Sequence, residues 1–468
     1  MTKPPLPQPG PYTRLVSRVL FPLHERLKRH TTVGVRRRME QTQYWSEARL
    51  AGLQLERLRQ LLRRAQAQVP YYAALFTRIG FDPARDLHSL ADLARLPLLD
   101  KGVIRANTDA MKAADAVGLA RFNTGGSSGE PLIFFIGKER VSHDVAAKWR
   151  ATRWWGVDIG DPEIVVWGSP IELGNQDRLR AVRDRALRTE LLPAFQMSEA
   201  RLDGFIAQIR RRRPRMLFGY PSALAHIARH ARLRGQRMDD LGIKVAFVTS
   251  ERLYDEQREL IGATFGCPVA NGYGGRDAGF IAHQCPQGGM HITAEDIIVE
   301  IIDAAGQPLP RGQAGEIVVT HLATGDFPFV RYRTGDIGVL ASAPCGCGRG
   351  LPLLREIQGR STDFLVARDG TVMHGLALVY ILRDLPQVKA FKITQHDLDH
   401  TEVQVVLDGA LDAALRAAIE AGFRARLGGA VRIEVLQVDA ILPEKSGKFR
   451  YVVSKVATAG NLAQEALA

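Results

Sequence analysis

The chain has 468 residues, of which 46% are hydrophobic and 24% are charged, a composition typical of a soluble globular protein with more than one domain. Lysine and arginine number 63 against 50 acidic residues, and this surplus favours anionic partners such as nucleotides or an acidic membrane face. Four cysteines exclude a disulfide scaffold and favour a reduced, cytoplasmic protein. The sequence has no apolar run of roughly 18 residues that predicts a membrane span, no signal-peptide pattern and no nucleic-acid-binding motif.

The N-terminal part is predicted to be helical. Leucines and valines alternate with arginines from Tyr12 to Arg38, which predicts an amphipathic helix whose apolar side packs on the body and whose basic side faces water. Contact of this basic helix with a membrane surface is the alternative. A second helix is predicted over Ala48–Ala74, ending in Val69-Pro70-Tyr71-Tyr72.

The centre of the chain alternates strands and helices, which predicts an α/β fold with a largely buried sheet. Leu132–Ile136, Glu163–Trp167 and Ile243–Val248 have the length and composition of buried strands, and Ser198–Arg212 opens as a helix on an N-cap serine. The C-terminal part is richer in β-structure. A domain boundary is predicted near Arg360, separating a large domain over residues 1–360 from a small α+β domain over residues 361–468.

A loop of glycine and hydroxyl residues precedes the first of these strands. Its sequence, Thr124-Gly125-Gly126-Ser127-Ser128-Gly129, lets the backbone approach an anion closely and directs N–H and O–H groups at its oxygens. Taken alone, the loop fits a surface turn equally well, because glycine and serine are the ordinary residues of turns.

Five stretches in order resemble the motifs of the adenylate-forming superfamily of acyl-CoA synthetases. They are Thr124–Pro131, Asn271-Gly272-Tyr273-Gly274-Gly275-Arg276-Asp277, Arg331–Asp336, Gly359–Asp363 and Ser446-Gly447-Lys448. Within that superfamily the chain is similar to the phenylacetate–CoA ligase branch, which includes members assigned to capsule biosynthesis and coenzyme F390 synthesis. The resemblance implies a large N-terminal domain of several sheets and packed helices, followed by a small mobile C-terminal domain.

The resemblance also implies a reaction and roles for single residues. A carboxylate would attack the α-phosphate of ATP with Mg²⁺ present, giving an acyl-adenylate and pyrophosphate, and coenzyme A would then take the acyl group. The glycine-rich loop and Arg276 would bind phosphates, and Gly274 would belong to the same ATP site. Tyr273 would stack on adenine, and Asp336 would accept hydrogen bonds from the ribose hydroxyls. Arg360 would reach the nucleotide from the hinge, and Lys448 would stabilise charge at the reacting carboxylate and phosphate.

Two positions depart from the motif pattern. Gly275-Arg276-Asp277 stands where relatives carry Ser/Thr-Thr-Glu, and the shorter Asp277 makes an indirect Mg²⁺ contact an alternative to a direct one. Thr362 occupies a position that is often acidic in the hinge motif, so the resemblance supports adenylation more strongly than domain rotation.

The cysteines form a second pattern. Cys345 and Cys347 lie on one turn, and Cys285 and His291 are six positions apart around a Pro-Gln-Gly-Gly loop. Three thiolates and one imidazole make a closed tetrahedral zinc site of the structural kind, with His283 as the alternative fourth ligand. Reduced surface thiols are the other interpretation.

The sequence therefore predicts an AMP-forming acid–thiol ligase. An adenylate-forming ligase with an amine, a hydroxyl or a carrier protein as acceptor is one alternative, and a non-catalytic nucleotide-binding homologue is another. Association of two copies into a homodimer is an open possibility.

Overall fold

A computed structural model describes residues 10–123, 132–167, 183–194, 197–251, 253–303, 305–358, 364–441 and 452–456. Every structural statement below refers to these residues. Within them, no helix combines the length and the apolar character that crossing a membrane requires.

The predicted single helix over Tyr12–Arg38 is wrong, because the chain breaks at Lys28–Thr31, where Arg29 adopts a positive φ of 60°. Its first half is continuous but mixed, with one π-helical turn over Val16–Leu20 between two α-helical pieces. The predicted packing of the apolar side of this segment on the body is only partly correct. Val16 and Phe21 are buried, whereas Leu15, Leu23 and Leu27 remain exposed.

The other helices agree with the sequence patterns at most of their ends. The predicted Ala48–Ala74 helix is divided at Val69, because Pro70 cannot donate its backbone nitrogen and instead starts a new helix. Ser198 lies at the predicted N-cap position, but its side chain makes no capping bond. The α-helices are α1 Pro11–Leu15, α2 Phe21–Leu27, α3 Thr32–Thr42, α4 Glu47–Gln68, α5 Pro70–Ile79, α6 Pro83–Asp86, α7 Lys101–Ala106, α8 Lys138–Trp154, α9 Glu199–Arg212, α10 Pro221–Leu233, α11 Asp255–Phe265, α12 Leu376–Arg383 and α13 Ala413–Leu427, and a 3-10 helix covers Leu90–Arg95.

The strands fall into one large sheet and three smaller ones. They are β1 Ala120–Asn123, β2 Ile133–Ile136, β3 Glu163–Trp167, β4 Thr189–Pro193, β5 Met216–Gly219, β6 Val245–Thr249, β7 Val269–Gly275, β8 Gly279–Gln284, β9 Met290–Ile292, β10 Ile297–Ile302, β11 Ala314–His321, β12 Tyr332–Leu340, β13 Leu353–Gln358, β14 Phe364–Val366, β15 Val372–His374, β16 Val388–Gln395, β17 His400–Leu407, β18 Arg432–Gln437 and β19 Val452–Ser454. The large sheet has eleven strands in the order β10-β11-β12-β13-β9-β8-β7-β6-β5-β3-β4.

The two ends of the large sheet are built differently. Strands β4, β3, β5, β6 and β7 are parallel, with helices between them, as the alternating sequence pattern predicts. From β7 to β10 the pairing is antiparallel, in agreement with the richer β-content expected for this part. Strand β7 is therefore the boundary between the two halves, and it carries the second predicted motif.

The glycine-rich loop closes a short antiparallel hairpin. Strands β1 and β2 pair from Ala120 with Ile136 to Asn123 with Ile133, so the residues on either side of the loop are neighbours. The loop itself, Thr124–Pro131, lies outside the described residues. Phe134 on β2 is fully buried in the main core, which fixes the base of the hairpin to the body.

The C-terminal region has its own hydrophobic core. Strands β16–β19 form a four-stranded sheet in the order β18-β17-β16-β19, and α12 and α13 contribute to the same cluster of buried side chains. In this core Phe391, Ile419 and Phe423 are fully buried. This part has the mixed α+β composition that the sequence predicts, and the predicted boundary near Arg360 stays a prediction.

Candidate active site

Two tyrosine–aspartate pairs join the second and third predicted motifs. The Tyr273 hydroxyl on β7 donates to Asp336 Oδ2 on β12 at 2.9 Å, and the Tyr332 hydroxyl on β12 donates to Asp277 Oδ2 at 2.6 Å. The tyrosine of each motif thus donates to the aspartate of the other motif. Three strands separate β7 from β12 in the sheet, so only strong curvature of the sheet brings these side chains together.

The aspartates are held in defined orientations. Asp336 follows Gly335, whose φ of 78° suits glycine, and its backbone nitrogen donates to the Thr334 hydroxyl at 3.1 Å. Asp277 Oδ1 accepts from the Ala278 nitrogen at 3.0 Å, so both of its carboxylate oxygens have a protein donor. Each oxygen keeps a further lone pair for a cation or a water molecule.

The hydroxyl of Tyr273 acts as a donor at neutral pH. Burial, together with the neighbouring Asp336 carboxylate, raises the pKa of Tyr273 well above its ordinary value. The neutral phenol therefore orients the carboxylate of Asp336.

A buried arginine that the sequence motifs do not include supports the turn after β7. Arg140 on α8 is 2% exposed and donates to the backbone oxygens of Arg276 and Asp277 at 2.8 and 2.9 Å. Its Nε also donates to Asp144 at 3.1 Å. Because Arg140 lies 137 residues before Asp277, no local pattern could have predicted this contact.

Two glycines of the second motif have structural reasons for their identity. A Cβ atom at Gly274 would collide with the backbone oxygen of Gly279 in the tight β7–β8 connection. A Cβ atom at Gly275 would lie 2.7 Å from Asp277 Oδ1. Arg276 is exposed, so its side chain can reach an anion, and partial desolvation of its guanidinium lowers its pKa.

A chain of aromatic rings connects the base of the glycine-rich loop to these pairs. Phe134 on β2 packs edge-on against Phe329 with centroids 5.7 Å apart, and Phe329 packs edge-on against Tyr332 at 5.2 Å. The root of the β1–β2 hairpin is thereby tied to the tyrosine that binds Asp277. Two of the five predicted motifs thus meet through contacts of described residues, and the strand that follows the first motif is linked to them through Phe134.

A separate aromatic cluster lies at the carboxyl ends of the parallel strands. Trp167 at the end of β3 stacks on Tyr220 at 4.4 Å and on Phe218 at 6.0 Å, and Phe218 stacks on Phe247 of β6. This edge of a parallel sheet is where α/β proteins bind ligands. Phe134 and Trp154 pack elsewhere in the core.

The structure brings the four predicted metal ligands together. The ligand atoms of Cys285, His291, Cys345 and Cys347 all lie within 4.8 Å of one another. Cys285 Sγ is 3.7 Å from Cys345 Sγ, and Cys347 Sγ is 3.2 Å from His291 Nε2. A Cβ atom at Gly289 would lie 2.7 Å from Cys345 Sγ, so glycine makes room for that thiol.

The imidazole of His291 presents Nε2 to the cysteines. Its Nδ1 lies 3.3 Å from the backbone oxygen of Leu351, which fixes the proton on Nδ1 and leaves the lone pair of Nε2 facing Cys347. Burial lowers the pKa of His291 to about 4, so the ring is neutral at pH 7. His283, the alternative ligand, is not part of the group.

His283 and His291 are paired across strands β8 and β9, yet their surroundings differ. His283 packs against Phe247 and Phe280, and neither ring nitrogen has a hydrogen-bond partner among the described residues. Burial lowers its pKa to about 3. This histidine is a buried neutral side chain.

The remaining predicted site residues fall outside the description. Thr124, Gly125, Gly126, Ser127, Ser128 and Gly129, together with Arg360 and Lys448, lie outside the described residues. Their flanks are described. Arg360 lies between β13 and β14, and Lys448 lies between β18 and β19, where β19 pairs in parallel with β16.

Comparisons with known proteins show which proteins the chain is similar to. Residues 365–455 match the family model of the CapK C-terminal domain. The chain is 26% identical over 375 residues to a phenylacetate–coenzyme A ligase of Thermus thermophilus, covering 78% of this chain and 80% of that protein. It is 23% identical over 372 residues to the protein CapK of Staphylococcus aureus, covering 79% and 81%.

Comparison with a solved structure identifies the fold of the chain. The chain superposes on 2-hydroxyisobutyryl-CoA ligase, solved with its acyl-AMP and CoA, with a TM-score of 0.64, 22% identity and coverage of 92% of this chain and 94% of that chain. The fold is therefore that of the adenylate-forming ligases. Within this class, the predicted resemblance to the phenylacetate–coenzyme A ligase and CapK branch is confirmed.

Proposed function

We propose that the protein is an ATP-dependent ligase that activates a carboxylic acid as an acyl-adenylate and then transfers the acyl group to coenzyme A. The observation that carries this proposal is the pair of tyrosine–aspartate contacts, Tyr273 with Asp336 and Tyr332 with Asp277, at the root of the glycine-rich hairpin. The relatives named phenylacetate–coenzyme A ligase support the same reaction class.

The first step forms one bond and breaks one. A carboxylate oxygen of the acid attacks the α-phosphorus of ATP, and the bond from that phosphorus to the bridging oxygen breaks as pyrophosphate leaves. Two anions must meet, so the site has to supply positive charge and orientation rather than a protein nucleophile. In the second step the sulfur of coenzyme A attacks the acyl carbon, and AMP leaves with the shared oxygen.

The described residues would position the nucleotide. The partly exposed ring of Tyr273 offers a face to adenine, and Asp336, oriented by the Tyr273 hydroxyl, would accept hydrogen bonds from the ribose. The exposed guanidinium of Arg276 would bind phosphate oxygens with charge-assisted hydrogen bonds. Sequence resemblance alone assigns the loop Thr124–Gly129 to the leaving pyrophosphate and Arg360 and Lys448 to the reacting centre.

The carboxylate of Asp277 fits a magnesium ion. Mg²⁺ in nucleotide sites is bound by one or two carboxylates together with phosphates and water, and Asp277 is held firmly by Tyr332 and the Ala278 nitrogen. When bound, Mg²⁺ neutralises charge on the phosphates. Because both oxygens already accept a hydrogen bond, an indirect contact through water fits Asp277 as well as a direct one.

We also propose that Cys285, His291, Cys345 and Cys347 bind a structural zinc ion. Three thiols and an imidazole within 4.8 Å of one another match the ligand set of closed tetrahedral zinc sites, which leave no position open for substrate. The ion would connect the β8–β9 loop to the loop that precedes β13. It would take no part in acyl transfer.

The cellular setting is part of the proposal. A ligase that uses ATP and coenzyme A and carries reduced cysteines fits the cytoplasm. An amine, a hydroxyl or a carrier protein remains the alternative acceptor, a homologue that binds nucleotide without turnover is the alternative to an enzyme, and association into a homodimer stays a prediction.

A panel of carboxylic acids tests the proposal. Purified protein with ATP and Mg²⁺ should release pyrophosphate with at least one acid, and adding coenzyme A should give the thioester of that acid. Pyrophosphate release without thioester would move the proposal to another acceptor. No pyrophosphate with any acid, from protein that binds ATP, would favour the non-catalytic homologue.

A further inference from the structure

The N-terminal helical segment presents an apolar stripe to solvent. Leu15, Val19, Leu20, Leu23 and Leu27 are 46%, 51%, 37%, 54% and 78% exposed, and Tyr12 at the start of the stripe is 40% exposed. We call these six residues the apolar stripe. From Tyr12 to Leu27 it extends about 22 Å along the helix axis. Single exposed leucines are ordinary, but a row of them on one helix face is not.

The stripe is displaced from the buried side of the same helix by one position. The buried residues Thr13, Val16, Phe21 and Glu25 occur at helical spacing, and Leu15 and Leu20 come directly before two of them. One position corresponds to about 100° around a helix. The apolar stripe therefore lies on a different side of the helix from the residues that pack on the body.

The buried side holds the segment in place. Phe21 packs edge-on against Trp149 of α8 with centroids 5.1 Å apart, and the Thr13 hydroxyl donates to Asp161 at 2.8 Å. A Cβ atom at Gly160 would lie 2.5 Å from Val16 Cβ, so glycine allows this close approach. The residues on the buried side hold the helix against the body, and the apolar stripe therefore faces solvent.

A row of exposed cationic side chains lies along the helix beside the apolar stripe. Arg14, Arg18 and Arg26 each come one position after a buried residue, and Lys28 and Arg29 continue the row where the helix ends; all five are exposed. The one acidic residue between Pro11 and His30 is Glu25, which is 4% exposed and accepts from Thr32 and lies 3.2 Å from His30. The surface is apolar and cationic with no exposed carboxylate of its own.

We propose that this surface, made of the apolar stripe and the five cations Arg14, Arg18, Arg26, Lys28 and Arg29, binds the surface of an anionic lipid membrane. Leucine side chains would enter the boundary between headgroups and acyl chains, and the cations beside them would contact lipid phosphates. The segment lies on the membrane and does not cross it.

The charges favour lipid over a second copy of the chain. In a symmetric dimer the same surface would face itself, which would bring the five cations of one copy towards those of the other with no exposed acid between them in this segment. An anionic bilayer offers acyl chains for the leucines and phosphates for the arginines at the same depth.

Flotation with lipid vesicles tests the proposal on the full-length protein. Wild type should float with vesicles of phosphatidylcholine mixed with phosphatidylglycerol, bind phosphatidylcholine alone more weakly, and lose affinity as salt is raised. The triple variant Leu15→Ser/Leu23→Ser/Leu27→Ser and the triple variant Arg14→Gln/Arg18→Gln/Arg26→Gln should each reduce the partition coefficient by about tenfold or more.

Matched variants elsewhere control for lost apolar surface and lost charge. Val117→Ser/Leu233→Ser removes side chains that are 81% and 79% exposed, and Arg210→Gln/Arg211→Gln/Arg212→Gln removes the arginines at the end of α9. Both should bind vesicles within about twofold of wild type. Equal loss in these controls, or no binding by wild type, would overturn the proposal. So would a wild-type dimer that only the serine triple variant splits, because the surface would then join two copies.

Discussion

The nucleotide side of the site and the Cys/His site are both assembled across distant parts of the chain, but they are completed in different ways. Tyr273 and Tyr332 supply hydrogen-bond donors to Asp336 and Asp277, so the aspartates have partners before any ligand arrives. The three thiols and His291 converge on one another, and burial with neighbouring thiols raises the pKa of Cys285 to about 12. The carboxylates of the first site are oriented by protein contacts, whereas the four side chains of the second site face one another, as ligands of the proposed zinc ion would.

The largest expected effect comes from a residue that sequence resemblance alone assigns. Lys448→Ala should lower acid-dependent pyrophosphate release by about 10²–10³-fold, because it removes a charge that stabilises the transition state, while ATP binding changes little. Pyrophosphate release measured beside ATP binding by calorimetry checks both statements. Lys455→Ala, which alters a described lysine on the other side of β19, is the matched control. Unchanged release in Lys448→Ala would remove this lysine from the mechanism.

Substitution of one cysteine in the Cys/His site tests the proposed zinc ion. Elemental analysis should find one zinc ion per chain, and Cys347→Ser should lose it together with several kcal/mol of stability, because metal binding contributes to folding. Cys267→Ser is the control, since Cys267 lies in a separate buried cluster. Zinc-free wild type with unchanged thermal stability would contradict the site.

The crossed pairs can be separated by a double-mutant cycle. Tyr332→Phe removes the donor to Asp277 from a fully buried ring and should lower the free energy of unfolding by about 1–2 kcal/mol, with a reduced rate of pyrophosphate release. Asp277→Asn in the Tyr332→Phe background should then cost less than Asp277→Asn alone. Urea unfolding of the four proteins gives the coupling. Additive effects would show that the pair does not act as a unit.

A further prediction concerns the pH dependence of stability. Burial lowers the pKa of His283 to about 3, below its value near 6.5 in an unfolded chain, so the stability due to its neutral form is complete above pH ~6.5 and is lost as the pH falls. His283→Leu should remove up to about 1.4 kcal/mol per pH unit from the slope of stability below that pH. Unfolding measured between pH 4 and 7 checks this, with His88→Leu, an exposed histidine, as control. An unchanged slope in His283→Leu would contradict the burial argument.

The sequence predicted the elements better than their contacts. Strand Glu163–Trp167 is confirmed to the residue, because five residues rich in β-branched side chains between turn residues are too short for a typical helix. The N-terminal helix was predicted with its leucines against the body, and this was wrong. Periodicity shows that residues 12–27 have an apolar face, but it does not show which side of the helix packs on the body. The buried side includes the polar residues Thr13 and Glu25, and most of the leucines are exposed.

In the candidate active site, too, the sequence predicted residues better than the contacts between them. Motif order brought Tyr273, Asp277 and Asp336 to attention, yet it gave no reason to expect that Tyr332 would bind Asp277 or that Arg140 would hold the turn after β7. These contacts depend on the curvature of an eleven-stranded sheet, which no local pattern records. The same is true of the two histidines paired across β8 and β9, of which only His291 faces the cysteines.

One isotope measurement tests the proposed chemistry most directly. An acid from the active panel, labelled with oxygen-18 in its carboxylate, is turned over with ATP and coenzyme A, and the products are analysed by mass spectrometry. If the carboxylate attacks the α-phosphate, AMP carries one labelled oxygen and pyrophosphate carries none. Label in inorganic phosphate, or AMP without label, would show that the acid is activated by another route and would contradict the account.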